Sequence, residues 1–417
     1  MSQTLTQIAD LLRSNLDSVE NPVKVELIYA FNGSGKTRLS RAFKEFITPG
    51  TPDATEINEE EDAALSKPNI LYYNAFTEDL FTWRNDQDEY IDHKFTIRSN
   101  GLTEWLLPLL RAQGMDGNIT SYFQDYTNTK VTPVFNEDYS EIRFNLALGG
   151  DNLGNENNVL NLKISKGEES NFVWSVFHSM LDLAISVLSE PDPNNRETAD
   201  FDNLEYVFID DPVSSLDDNH LIHTAVSLAK LIKKGSGNLK FIISTHNPLF
   251  FNVLSNEFEN DKWDKDNNDQ RYWKKNWFKK RQLKKLEDGL FELSDQPNDS
   301  PFSYQIHIKN MIKKAIDEDG VEKYHFNLMR NLLEKTATFL GHNRWEALLP
   351  KNSENQPDEQ CMRALNVYSH SKQSGDEVSS PTRSQIEKLA ESYHHLINEY
   401  RFYDEVTPSA TTSQNSA

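Results

Sequence analysis

The chain holds one cysteine, Cys361, in 417 residues. That excludes an internal disulfide framework and a cysteine-rich zinc site. No run approaches the length of apolar residues that a bilayer requires, so no spanning helix is expected. The opening stretch, MSQTLTQIADLLRSN, lacks the basic-then-apolar order of a secretory leader. Internal repeats and sustained heptads are absent, so no long coiled coil is expected. Positive charge is also short: 43 Lys and Arg stand against 65 Asp and Glu, a net charge of −22, which argues against general affinity for nucleic acid. The expectation is a cytoplasmic protein with no membrane partner and length enough for two domains.

What is present is unevenly spread. TPDATEINEEED (51–62) carries six acidic residues and no basic one, and reads as a solvated loop. RYWKKNWFKKRQLKK (271–285) carries eight basic residues and no acidic one. Its Tyr272, Trp273, Trp277 and Phe278 either stack unpaired bases or turn inward beneath a basic loop or hairpin. Short apolar runs at 24–29, 68–73, 204–209 and 239–244 read as buried strands. Helical periodicity between them, at 37–47, 102–112, 170–188 and 219–234, predicts an α/β layer domain. From about 302 the pattern is mostly helical, over 303–318, 321–340, 359–371 and 383–399. The expected organisation is a nucleotide-binding domain over 1–262, a helical C-terminal domain over 263–403 and a disordered tail over 404–417.

AFNGSGKT (30–37) fits the phosphate-binding pattern G-x-x-x-x-G-K-[ST] except for Ala30 at the first glycine. Asn32, Gly33, Ser34 and Gly35 allow backbone N–H groups to close around phosphate oxygens. Lys36 reaches the terminal phosphates, Thr37 offers a hydroxyl to Mg²⁺, and Arg38 follows on the helix. In YVFIDDPVSSLDDNH (206–220) an apolar strand ends in two carboxylates. Asp210 is placed to hold Mg²⁺ and Asp211 to polarise an attacking water; a helix-capping pair is the simpler alternative. KFIISTHNPLF (240–250) ends at His246, a candidate γ-phosphate contact or a structural histidine. Ser165, Gly167 and Glu168 in KISKGEES open a helix whose free N–H groups and dipole suit an anion.

These motifs, in this order, resemble the ABC-type ATPases. The resemblance implies a P-loop NTPase fold, ATP or GTP with Mg²⁺, and a homodimer or higher even oligomer in which one subunit's Ser165, Gly167 and Glu168 close over nucleotide held by its partner's loop. It also places Asp217 at the nucleotide and Asn74 at the metal.

In the C-terminal part, Arg330 and Glu334 of RNLLEKTATFLG (330–341) lie four apart, on one helix face within contact distance. An isolated pair of this kind is an ordinary surface ion pair. Here the surrounding helix is largely apolar, and His370 follows in NVYSHSKQSG (366–375). A carboxylate, an imidazole and a guanidinium are the groups that metal-free RNA cleavage needs as base, acid and charge stabiliser.

Taken with VELIYAFNGSGKTRLSRAFK, ILYYNAFTEDLF, YVFIDDPVSSLDDNHLI and SHS, the chain from about 24 to beyond 380 resembles the bacterial anticodon nucleases of the PrrC type. That resemblance implies an ABC-type ATPase domain joined to a helical ribonuclease domain. It implies cleavage of tRNA, typically lysine tRNA, in the anticodon loop by Arg330, Glu334 and His370. It further implies binding of dTTP, and silencing by a type I restriction–modification complex until phage infection disables that complex. The family's tRNA-selecting peptide points to about 294–304. Three other functions share parts of the sequence. A DNA-repair ATPase of the structural-maintenance type should carry a coiled coil between Thr37 and Ser165, and none is present. A transporter ATPase leaves Arg330, Glu334 and His370 unexplained. A defence ATPase that senses phage and activates a separate effector shares every N-terminal motif.

Overall fold

A computed structural model describes residues 2–48, 68–74, 81–84, 93–98, 101–147, 158–159, 161–212, 218–235, 239–264, 270–286, 288–296, 303–367 and 380–402. The acidic stretch 51–62, Asp217, His370 and the tail 404–417 lie outside the described residues. The chain divides into two compact units, Met1–Pro301 and Phe302–Ala417.

The first unit contains thirteen described strands: β1 (Val25–Tyr29), β2 (Ile70–Tyr73), β3 (Phe81–Arg84), β4 (Lys94–Ile97), β5 (Val131–Phe135), β6 (Glu141–Ala147), β7 (Asn158–Val159), β8 (Tyr206–Asp210), β9 (Lys240–Thr245), β10 (Lys262–Asp264), β11 (Gln270–Trp273), β12 (Phe278–Lys285) and β13 (Phe291–Asp295). Six form one sheet in the order β13-β12-β1-β9-β8-β2, parallel throughout except for β13 on β12. Strands β1 and β8 are buried at every position, as parallel strands covered on both faces are. Alternate side chains enter different cores. Ile28, Phe208 and Ile242 face a cluster built with the helices Leu5–Leu16 and Lys36–Ile47. Leu27, Val207, Ile209 and Ile243 face one that includes the helices Lys166–Leu188 and Pro248–Phe258.

Sequence periodicity missed the second sheet, the antiparallel β3-β4-β6-β5 with β7 on β6. Its Phe95 and Phe144 both pack edge-on against Phe172 of the helix Lys166–Leu188. That helix is long and apolar enough to cross a membrane by length and composition, yet 83% of its apolar window is buried within the protein. Glu168, Glu169, His178 and Asp182 interrupt its apolar run, which is why a count of consecutive apolar residues passed over it. It is the core helix of this unit.

The expected boundary at 262 falls inside the first unit. Strand β12 pairs in parallel with β1, from Val25↔Phe278 to Tyr29↔Gln282, and β13 closes the edge. Sequence FKKRQLKK hides a strand because only Phe278 and Leu283 of its eight residues are buried. A buried ion pair welds it to β1: Glu26, fully buried, accepts from Arg281 Nε at 3.1 Å and from Asn15 Nδ2 at 3.2 Å. The aromatics of the basic stretch mostly turn inward. Trp273 is buried and donates to the Phe258 carbonyl at 2.9 Å, and Phe278 is buried beside it. Tyr272 alone is well exposed.

The described part of the second unit is helical: Ser303–Asp317, Lys323–Phe339, Glu359–Val367 and Arg383–Glu399. Phe326, Met329, Leu332 and Leu333 form the buried stripe of the second helix, packed with Ile312, Leu365, Leu389 and Leu396.

Candidate functional site

Parallel strands bring their C-terminal ends to one edge. In register, Tyr29 lies beside Thr245, Ser244 beside Asp210, and Ile209 beside Tyr73. The residues that follow, Ala30 to Thr37, His246, Asp211 and Asn74, therefore collect along that edge, where open α/β sheets bind ligands.

The loop after β1 turns on Gly33 and Gly35, at φ +78° and +95°, a region open to glycine and strained for other residues. Gly35 has a second constraint. A Cβ there would lie 2.8 Å from Phe291 Cε1, so the loop rests against β13. The helix Lys36–Ile47 starts directly after it with no side-chain cap, which leaves its first N–H groups and its dipole to a phosphate. The Lys36 ammonium is held inside the loop. It donates to the carbonyls of Ala30 (3.3 Å) and Phe31 (3.4 Å) and to Asn32 Oδ1 (3.3 Å), and lies 3.6 Å from Asp211 Oδ2. Ser34 caps the turn by donating to the Phe31 carbonyl at 2.5 Å. Arg38 lies over the Phe291 ring at 5.8 Å.

The two aspartates are in different environments. Asp210 is buried and accepts from Thr37 Oγ1 at 2.7 Å and Ser244 Oγ at 2.5 Å. Burial raises its pKa above the ordinary carboxylate value, against those hydrogen bonds. For Asp211 burial acts in the same direction, but the hydrogen bond from His246 and the charge of Lys36 outweigh it and hold the carboxyl below its ordinary value. His246 Nδ1 lies 2.5 Å from Asp211 Oδ2, and Thr245 Oγ1 and the His246 N–H donate to Oδ1 at 3.2 and 3.3 Å. Asp211 also takes φ +55°, uncommon for a non-glycine residue and most tolerated by Asp and Asn. Asn74 donates to the Tyr72 hydroxyl at 2.8 Å, which in turn lies 2.6 Å from Ser40 Oγ on the loop's helix. The donor set fits a magnesium nucleotide: Thr37 and Asp210 already meet oxygen to oxygen, with Asn74 on the adjoining strand end. Ser244, Thr245 and Tyr72 were missed in the sequence, where their hydroxyls sit inside apolar runs that read only as strands.

Ser165 and Glu168 are occupied with each other. Ser165 Oγ accepts from the Glu168 N–H, and Glu168 Oε2 accepts from the Ser165 N–H at 2.7 Å, a capping box for the helix Lys166–Leu188. Neither they nor Gly167 bonds to the phosphate loop.

In the second unit Arg330 and Glu334 meet, Nε to Oε1, at 2.8 Å. Arg330 is held on two further sides. One terminal NH₂ group donates to Asn366 Oδ1 at 2.9 Å, and the guanidinium lies 5.4 Å from the Trp345 ring centre. Its side chain is 22% exposed and that of Glu334 46%. Asn366 sits at the end of the helix Glu359–Val367, the last described element before His370. Asn366 and Trp345 went unremarked in the sequence because nothing in their spacing marks them.

The edge, its glycine-strained loop and its paired aspartates define a P-loop NTPase. A family model described as an AAA domain matches residues 194–398, across the second half of that edge and the helix carrying Arg330 and Glu334. An anticodon nuclease from Escherichia coli is 45% identical over 417 residues, covering 97% of this chain and 99% of its own length. The chain belongs to the anticodon nuclease family. Among solved structures it is similar to the SMC head domain from Thermotoga maritima, at 12% identity over 66% of this chain and 90% of that one with a TM-score of 0.30. It is also similar to the Smc head of Pyrococcus yayanosii with its coiled coil and joint, at 11% identity over 46% of this chain and 28% of that one with a TM-score of 0.26.

Proposed function

We propose that the protein is a nucleotide-gated endoribonuclease that cuts tRNA, in the anticodon loop, without a metal ion at the cut. The observation that carries this reading is the Arg330–Glu334 pair, fixed by Asn366 at the end of the helix that leads to His370. Glu334 takes the proton of the ribose 2′-hydroxyl, and that oxygen attacks the adjacent phosphorus. Arg330 stabilises the charge that develops on the phosphoryl oxygens. His370 returns a proton to the departing 5′-oxygen. The 2′-oxygen to phosphorus bond forms and the phosphorus to 5′-oxygen bond breaks, leaving a 2′,3′-cyclic phosphate and a 5′-hydroxyl.

At the nucleotide edge, Asn32 to Arg38 bind the phosphates of ATP or GTP. Thr37 and Asp210, with Asn74, are the residues that would hold Mg²⁺, whose charge offsets that of the phosphates when bound. Asp211, kept ionised by His246 and Lys36, orients the attacking water, and His246 fixes the Asp211 carboxylate. The helix opened by Ser165, Gly167 and Glu168 closes on a partner subunit's nucleotide with Asp217, in a homodimer or higher even oligomer. Lysine tRNA as substrate, dTTP as a regulatory nucleotide, silencing by a type I restriction–modification complex and a cytoplasmic, antiviral role complete the reading; their support is family membership. The test is purified protein with total tRNA in chelator. Anticodon-loop cuts support the reading, and intact tRNA alongside active nucleotide hydrolysis favours an ATPase that serves another effector.

A further inference from the structure

A cavity of about 790 Å³ opens on the first unit, lined by Lys275, Asn276, Phe278, Lys279, Lys280, Arg281 and Gln296 with Glu259 and Asp295. It lies along the strand pair β12–β13. Its charges are not equivalent. Lys280 pairs with Glu259, and Arg281 is held by Glu26 and Asp295. Lys275 and Lys279 have no carboxylate within ion-pair distance among the described residues; Asp261 accepts only the backbone N–H of Lys275. Lys24 and Lys274 share the Trp277 ring, at 4.3 and 5.4 Å from its centre. Lys275 and Lys279 are thus two cations without a carboxylate partner among the described residues, in a chain whose net charge is −22. Cations without a carboxylate partner are available to an anion.

The lining decides which anion. Small-molecule pockets are walled mostly by apolar and aromatic groups, whereas here the single aromatic, Phe278, is itself buried in the core. The volume far exceeds one phosphate. A groove that sets lysine ammoniums around a lining as much apolar as polar suits a chain of phosphates with sugars between them, followed along its backbone.

We propose that this cavity docks the phosphodiester backbone of the RNA substrate through Lys275 and Lys279, so that the ATPase unit itself contributes to substrate binding. This rests on the RNA-cutting reading above. The test uses the full chain in an Arg330→Ala background, with labelled tRNA transcript as probe over a range of salt. K275Q/K279Q should bind about tenfold or more weakly near 0.1 M salt, with a log–log salt slope shallower by about 1.5, the loss of two phosphate contacts. K275R/K279R should restore both, K284Q/K285Q on the same strand should change little, and nucleotide hydrolysis should stay unchanged in all of them. Equal affinity and slope in K275Q/K279Q overturn the proposal. So does an equal loss in K284Q/K285Q, a matching loss for duplex DNA, or weakened binding of nucleoside triphosphate. Cleavage of an isolated anticodon stem-loop, with Arg330 intact, is followed separately: its absence refutes the RNA-cutting reading, while the salt slope still decides the cavity.

Discussion

The nucleotide edge and the Arg330 site are built in opposite ways. The edge draws on separate strand ends in the first unit, from Asn32 to His246, with Asp210 buried, Asp211 mostly so, and each aspartate held by at least two donors. The Arg330 site comes from one turn of one helix, an amide from another and the Trp345 ring, and stands part-exposed. The first geometry follows from the sheet: parallel strands in register deliver their termini to one place. The second follows from helical spacing, and needs a neighbour to fix it. A site fixed by backbone register tolerates loss of a peripheral contact; one aimed by side chains feels each contact it loses.

The largest effect that bears on this contrast is at the edge. Lys36→Ala should lower nucleotide hydrolysis by at least about 1,000-fold, the upper scale for losing a preorganised charge donor, in a protein that keeps its far-UV spectrum. Full hydrolysis by that variant would remove the phosphate-loop reading. Next, Arg330→Ala should cost about 100-fold or more in RNA cleavage while nucleotide turnover is unchanged; parallel loss of both activities would mean that the two sites are one structural unit.

A third test concerns the rigidity of the first unit. His178 is buried among Tyr122, Tyr126 and Ser227, with Asp182 and His223 nearby. Burial pushes its pKa down from 6.5 to about 4, against the pull of Asp182 and aided by His223. The folded state thus prefers neutral His178, so this contribution is complete above pH 6.5 and is lost as pH falls towards 4. Between pH 7 and 4.5 the parent should lose about 2 to 3 kcal/mol more unfolding free energy than His178→Phe, read by urea titration of each at both pH values. Equal losses would show that the ring is not held neutral. The smallest effect is the most specific. Asn366→Ala should lower the cleavage rate about tenfold, on the scale of one hydrogen bond to a charged group, with KM unaltered, and Asn366→Gln should recover little of it. An unchanged rate would mean that Trp345 and Glu334 suffice to aim Arg330.

The same contrast governs what the sequence disclosed. Strand runs at the edge were legible because β1 and β8 are buried on both faces and lead into polar motifs of fixed spacing. Asp210, Asp211 and His246 could be found for that reason, whereas Ser244, Thr245 and Tyr72 could not, since a hydroxyl within a strand gives no sign that it will face a carboxylate. Strand β12 was hidden by charge: Lys279, Lys280 and Arg281 look solvated, and only pairing with β1 makes them part of a sheet. The antiparallel sheet β3–β7 was overlooked because its short strands lie in a stretch read only for the helix at 102–112. In the second unit the helices were legible within a few residues, but the spacing of Arg330 and Glu334 is common to many helices. The role proposed for them came from family resemblance, and their contact with Asn366 only from the fold.

One measurement reaches the central claim, that the Arg330 site cuts RNA by attack of the substrate's own hydroxyl. A tRNA carrying a single 2′-deoxyribose at the cleaved position is incubated with the full chain, nucleotide and chelator beside the all-ribose tRNA. The account predicts that the substituted tRNA binds as well and stays whole, while the all-ribose tRNA yields a 2′,3′-cyclic phosphate and a 5′-hydroxyl. Cleavage of both, with a 3′-hydroxyl and a 5′-phosphate at the ends, would contradict it.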